Sequence, residues 1–356
     1  MSTEPVTAAQ LNQWTETSDA VALHIEQRLA PVEGPGAVFF PPTFASSVKG
    51  QEGQYCIDTL ADGTKVALVD SVGSQANRME PLFLEDRFRH LVPQITIAYG
   101  DAKKGTDGEL SLLKAGHRLG DAVVRCTALK DEAQQAFQTL LRAGDATALA
   151  KLGPTSLVFG VWDSRDTMAK VPRLVQSTIR AWDVSVLKRS AQYEPALDYT
   201  AFDVFTEKEK EKAEGSSSNP LAQRGFVHVP STDTHGGVIA SGPIRRDVTV
   251  NLVQLRRIEG SDTQALRRYL LGLALIAAVE PIDPFLRQGC ILVPEEETPA
   301  TWRLVHRDGT REPVSLSSDT VLKYATAAAE KFGVGDARKV VFDQKLAKSD
   351  AKAKSK

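Results

Sequence analysis

Asp70-Ser71-Val72-Gly73-Ser74-Gln75-Ala76-Asn77-Arg78 places two hydroxyls, two amides, a guanidinium and a glycine in succession, directly behind the apolar run Val66-Ala67-Leu68-Val69. Where a strand turns into a helix, the first helical N–H groups lack partners and carry a partial positive charge, so such a turn can hold a phosphate. Ser71 or Ser74 would add a hydroxyl donor and Arg78 a charged fork. The same residues also suit ordinary helix capping by Ser71 or Ser74. Arg78 is expected in the first turn or two of the helix, opposing the positive end of its dipole, which calls for an anion beside it. The spacing is neither GxxxxGK[ST] nor GxGxxG.

Three further clusters could touch an anionic ligand. Lys188-Arg189-Ser190-Ala191-Gln192-Tyr193 sets two cations beside a stackable aromatic, a combination suited to a single nucleic-acid strand and equally to a solvated turn. In Ile244-Arg245-Arg246-Asp247-Val248, consecutive arginines on a strand point to opposite faces, so at most one meets a ligand on the sheet. Leu286-Arg287-Gln288-Gly289 enters a strand at a glycine that permits close backbone approach. Catalytic patterns are missing: His228 and His235 do not have zinc spacing, Cys56, Cys126 and Cys290 are scattered, and Asp70 has only Asp58 and Asp62 near it in sequence. No catalytic residue, metal ligand or cofactor is expected.

The 356 residues, 42% hydrophobic and 25% charged, exclude a wholly disordered, collagen-like or disulfide-scaffold chain. A net charge of −2 excludes a globally basic nucleic-acid binder but leaves room for a local basic groove. The start, MSTEPVTAAQ, has neither the basic nor the apolar part of a signal peptide. The longest apolar stretch, Tyr269–Val279, is about half the roughly 20 residues of a membrane span. A soluble, cytoplasmic protein with no membrane contact is expected.

These residues need elements to position them. Residues 7–30 read as an amphipathic helix from Thr7 to Pro31, and 34–44 as a loop. Two strands around Asp62-Gly63 read as a hairpin, its second strand apolar enough for a central position. A helix should follow Ser71. Helices are expected over 116–127 and 131–151, a β run over 157–162, and a helix over 169–182. The segment 207–220 has almost nothing apolar and reads as a mobile tip. Residues 236–255 read as one or two strands, 262–279 as a helix capped by Asp262, and 289–293 as a final strand. No internal repeat is visible. The sum is an α+β fold with helices on one face of a sheet.

KVALVDSVGSQANRMEPLF resembles the SxxSQxNR segment of a CRISPR-associated RAMP-superfamily protein, the Cascade backbone ("Cas seven") family of subtype I-G, formerly I-U. Segments 28–44, 179–199, 236–256 and 266–294 resemble the same family in the same order. The resemblance implies one RRM-like, ferredoxin-type palm over 1–335, with a helical insertion at about 95–150 and a hairpin thumb at about 193–235. Residues 336–356 would be a basic, disordered tail. It implies that copies polymerise head to tail along a CRISPR guide RNA, which pairs with a target DNA strand. Other Cascade subunits would join, and a separate helicase-nuclease would visit to cut. Ser71, Ser74, Gln75, Asn77 and Arg78 would contact guide phosphates or sugars, followed by Lys188, Arg189 and Gln192, then Arg245, Arg246, Arg287 and Gln288. The rival readings are a metal-dependent ribonuclease on the same fold, cleaving RNA complementary to the guide, and a phosphate-binding enzyme using the 71–78 turn.

Overall fold

A computed structural model describes residues 5–16, 19–45 and 53–352. Its principal strands are β1 (Ala20–Pro31), β2 (Ile57–Thr59), β3 (Lys65–Asp70), β4 (Ile95–Tyr99), β5 (Gly108–Ser111), β6 (Val175–Trp182), β7 (Val184–Tyr193), β8 (Val229–Ala240), β9 (Ile244–Asn251), β10 (Phe285–Arg287), β11 (Cys290–Pro294), β12 (Thr301–His306), β13 (Arg311–Pro313) and β14 (Arg338–Val341). Its principal helices are α1 (Ala8–Thr15), α2 (Val72–Met79), α3 (Lys130–Ala143), α4 (Thr147–Leu152), α5 (Glu207–Ala213), α6 (Thr263–Val279), α7 (Ser318–Phe332) and α8 (Gln344–Lys352).

Four antiparallel strands in the order β11-β1-β9-β6 form the palm, with α2 between its first and second strands in sequence and α6 between its third and fourth. That is the ferredoxin-type, RRM-like arrangement expected from the sequence. The Asp62-Gly63 hairpin forms as read, with Gly63 at φ +89, and adds β3 and β2 beyond β6. Ile25, Val248, Val250 and Val175 on one sheet face pack against Leu270, Leu273 and Ile276 of α6. Helix α6 starts at its Asp262 cap, whose carboxylate accepts from Ala265 N at 3.0 Å. Behind it, α7 approaches so closely that a Cβ added at Gly272 would lie 2.8 Å from Ala325 Cα.

Several expectations fail for identifiable reasons. The helix over 7–30 is only α1; its second half is β1, whose buried Leu23, Ile25 and Leu29 have the two-residue period of a strand. Ile25 and Leu29 satisfy a four-residue spacing and a two-residue one equally. The helix over 169–182 is largely β6, where Ser177 and Ala181 occupy inward positions and hide the alternation. The β run over 157–162 reduces to Val161–Trp162, preceded by a helical turn at Thr155–Val158. Residues 116–127 hold only a 3-10 turn at Arg118–Gly120 and a helical turn at Ala122–Arg125. The helix over 131–151 is two, broken at Gly144 with φ +70.

The region 95–150 is not wholly helical, because β4 and β5 pair within it. Nor are residues 336–352 a disordered tail: β14 lies parallel to β4, and Arg338–Glu132, Lys339–Glu109 and Arg125–Asp350 pairs hold this end to the insertion. The segment 207–220 is ordered as well. Thr206 and Glu209 form a capping box for α5, and Ala213 packs with Ala222 and Val227, flanked by Phe205 and Val229, which supply the apolar surface the segment itself lacks. Strands β7 and β8 make a two-stranded arm carrying this tip, so the arm begins at Val184, earlier than the 193 read for the thumb. Among the described residues no helix is long and apolar enough to cross a membrane.

Candidate nucleic-acid interface

The turn into α2 is capped by Ser71, whose hydroxyl accepts from Ser74 N at 3.2 Å. Gln75 is fully buried: its amide donates to Asp70 Oδ2 at 2.6 Å and accepts from Ser177 Oγ at 2.6 Å. It faces the core and ties α2 to β6, so it is removed from the set that a surface ligand could reach. Arg78 lies in the last turn of α2, where the dipole favours a cation, rather than near its start. Its anion is Asp70, 3.0 Å away, and its other nitrogens donate to the carbonyls of Leu286 at 2.5 Å and Phe285 at 3.3 Å. Ser71 and Ser74 are half-buried; Asn77 is exposed and accepts from Arg118 Nη2 at 3.3 Å.

Beside Gly73 and Asn77 runs a groove of about 480 Å³, lined also by His117, Arg118, Trp162, Lys170 and Arg173. Arg118 is buried with Nε 2.7 Å from Glu80 Oε2, and burial pushes the Glu80 carboxyl up to about 7 against the pull of that guanidinium. The Lys170 ammonium stands 5.6 Å from the centre of the exposed Trp162 ring. Arg173 is half-buried, and among the described residues its Nε has no hydrogen-bond partner. Sequence reasoning missed these residues. The available signal is Trp162 with Lys170 and Arg173 in one short span, which a β run over 157–162 followed by a helix over 169–182 divides.

The palm face opposite α6 carries a second basic feature. Arg28 is the register partner of Arg245, and Arg245 is the partner of Arg180, so three arginines cross three neighbouring strands in one row. Like charges directly opposite one another destabilise a sheet. Arg245 is partly compensated by Asp247 at 2.8 Å and Glu26 at 3.5 Å, and lies 4.7 Å from the Trp182 ring centre. Burial works to raise the Asp247 carboxyl, but hydrogen bonds from His24 and Arg245 outweigh it and hold the group below its ordinary value. Arg28 and Arg180 are exposed, and among the described residues neither has an acidic partner. Arg246 points the other way, as alternation requires. It is buried, donates to Ser177 Oγ at 3.3 Å, and is lowered to about 10 by burial, so it stays charged but cannot meet a surface ligand.

On the arm, Lys188, Arg189 and Gln192 are exposed, with Lys188 3.2 Å from Asp233. Arg287 donates to the Pro41 carbonyl at 2.7 Å, and Gln288 is exposed in the turn into β11. Gln75 and Arg246 aside, the expected residues therefore fall on four surfaces: the α2 groove, the open palm, the arm and the turn before β11. His235 lies 2.6 Å from the Gly53 carbonyl on the arm's inner part, and among the described residues no His, Cys, Asp and Glu cluster suits a metal.

Residues 23–186, just under half of the chain, match the family model described as CRISPR-associated protein GSU0053. The match supports a CRISPR-associated role. It spans β1 to β7, and so includes the α2 groove, Arg28 and Arg180, while Arg245 lies beyond it. No curated protein matches the sequence.

Proposed function

We propose that this chain is a backbone subunit of a Cascade-type effector that holds a guide RNA by its phosphates, presents it for pairing with a target DNA strand, and does no chemistry itself. The observation that carries this reading is the Arg28–Arg245–Arg180 row on the open palm. A row of like charges facing solvent raises the energy of the free protein, and a string of phosphates relieves it. The basic groove beside α2 offers a second stretch of the same chemistry, with Trp162 as an aromatic surface on which a base can stack. Neither feature reads a base edge, so sequence is left to pairing between guide and target. The partners are the guide RNA, neighbouring copies of the chain, other effector subunits and, transiently, the nuclease that cuts.

Arg180→Gln tests the reading with two readouts of opposite sign. Without RNA the variant should melt slightly higher, because a like-charge neighbour is gone. With RNA it should bind more weakly for every spacer sequence, and the dependence of log affinity on log salt should become shallower by about 0.7. Expression with a CRISPR array should bring guide-sized RNA through purification. A lower melting temperature with unchanged salt dependence would make the row structural. Magnesium-dependent cleavage of RNA complementary to the guide would select the ribonuclease instead.

A further inference from the structure

A groove of about 430 Å³ lies between α1, α6 and α7, on the helices packed behind the sheet. Its floor is apolar and made of small side chains, with Leu11, Ala265 and Ala328 buried and Tyr324 beside them. Its rim is basic: Arg268, Lys323 and Lys331. Arg268 is held by Glu16 at 3.2 Å, but Lys323 and Lys331 are exposed, and among the described residues neither has an acidic partner. Such a groove fits a segment with apolar side chains inside an acidic fringe.

The chain itself carries one. Residues 193–207, YEPALDYTAFDVFTE, include Glu194, Asp198, Asp203 and Glu207 and no lysine or arginine; Asp198 is paired with Lys210 at 3.2 Å, so the fringe is Glu194, Asp203 and Glu207. Leu197, Phe202 and Val204 leave 53%, 65% and 53% of their surfaces to solvent. The segment is already shaped, because Asp198 accepts from Thr200 N at 3.2 Å, and the Tyr199 ring stands edge-on to Phe226 at 5.0 Å. Little ordering entropy would be lost on docking. The arm leaves the palm where Trp182 N meets the Pro243 carbonyl at 3.0 Å, at the end of β6, whereas the groove belongs to the helical layer.

We propose that the 193–207 segment of one copy seats in the α1–α6–α7 groove of a second copy. The two patches differ, so the contact is heterologous, and each docked copy still offers a free groove or a free arm. Repetition builds an open array, with the basic rim meeting the acidic fringe and Phe202 and Val204 entering over the alanines. The inference rests on the filament reading above and names the surfaces that would make it.

The test uses an arm variant, Phe202→Asp with Val204→Asp, and a groove variant, Lys323→Glu with Lys331→Glu, in sedimentation velocity with and without a long single-stranded RNA. Wild type should form species that grow with concentration and RNA length. In RNA-free solution each variant alone should lose every species larger than a monomer. Their equimolar mixture should stop at a dimer, since only one intact arm–groove pair exists. Glu194→Lys with Asp203→Lys, mixed with the groove variant, should grow beyond the dimer by charge exchange, since the native arm then meets the native groove and the basic arm meets the acidic groove. Binding of a short oligonucleotide should be the same for all variants, which separates a failure of docking from a failure of RNA binding. Variants that associate like wild type, a mixture of the arm and groove variants that grows beyond the dimer, a charge-exchange mixture that stops at the dimer, or a wild type that stays monomeric on long RNA would each overturn the proposal.

Discussion

The guanidinium of Arg78 finds three partners inside its own chain, and that decides what its loss does. Arg78→Ala would leave the buried Asp70 carboxylate with Gln75 as its one side-chain donor among the described residues, and would take a donor from the Phe285 and Leu286 carbonyls. A stability loss of roughly 2 kcal/mol is expected, below the range for a fully buried pair because Arg78 is partly exposed. A urea titration measures it. RNA affinity, taken where the variant is still folded, should change less than for Arg180→Gln. Glu80 makes a separate prediction. Its folded-state value of about 7 lies above the ordinary 4.5, so the native state keeps a proton that the unfolded chain releases. That contribution is complete below about 4.5 and is lost as pH rises through about 7. The stability of wild type relative to Glu80→Gln should therefore fall across this window and then level off; parallel curves would show that Glu80 titrates normally. The cap at Ser71 and the opposed directions of Arg245 and Arg246 were legible in the sequence, because capping and strand alternation are local. The burial of Gln75 and the internal partners of Arg78 were not, because Ser177, Phe285 and Leu286 come from distant strands.

Among the elements, α6 is the one whose sequence spoke most directly, through an aspartate cap and a long apolar run. Its packing carries a counter-intuitive prediction. Alanine is favoured over glycine in a helix by about 1 kcal/mol. Gly272→Ala should nevertheless destabilise, since the new methyl would sit 2.8 Å from Ala325 Cα and force α7 outward. A net cost of about 1–3 kcal/mol is expected. A denaturation midpoint above wild type would mean that α6 and α7 can separate freely. The elements misread, β1 and β6, share a cause. Each is a strand whose inward positions include a polar or small residue, so its apolar residues alone fit a helical spacing. The groove beside α2 is hidden by the same ambiguity, since Lys170 and Arg173 lie in the stretch over 169–182 that reads as helical, apart from the β run over 157–162 that ends at Trp162.

For the molecule as a whole, the ferredoxin-type palm and an arm near residue 193 follow from resemblance, whereas after Pro294 the same resemblance implies only a disordered tail over 336–356, where the structure has β14 and α8. The arm is an insertion between two strands that are already neighbours, which makes it separable. Replacing residues 189–234 with Asn-Gly would join Lys188 to its cross-strand partner His235 while keeping Val184, Val238 and Phe39 packed at the base. The shortened chain should unfold in a single transition near that of wild type and remain monomeric; loss of cooperative unfolding would show that the palm needs the arm. Strand β14 has the opposite character. It lies parallel to β4 across roughly 240 residues of chain, and Asp343 N reaches the Cys126 carbonyl just beyond it. During synthesis at about 5–20 residues per second, β4 emerges on the order of 10–50 s before its partner exists. Through that interval the nascent protein holds an open strand edge, so its hazard of misassociation is set by the pace of the ribosome as much as by the stability of the finished fold.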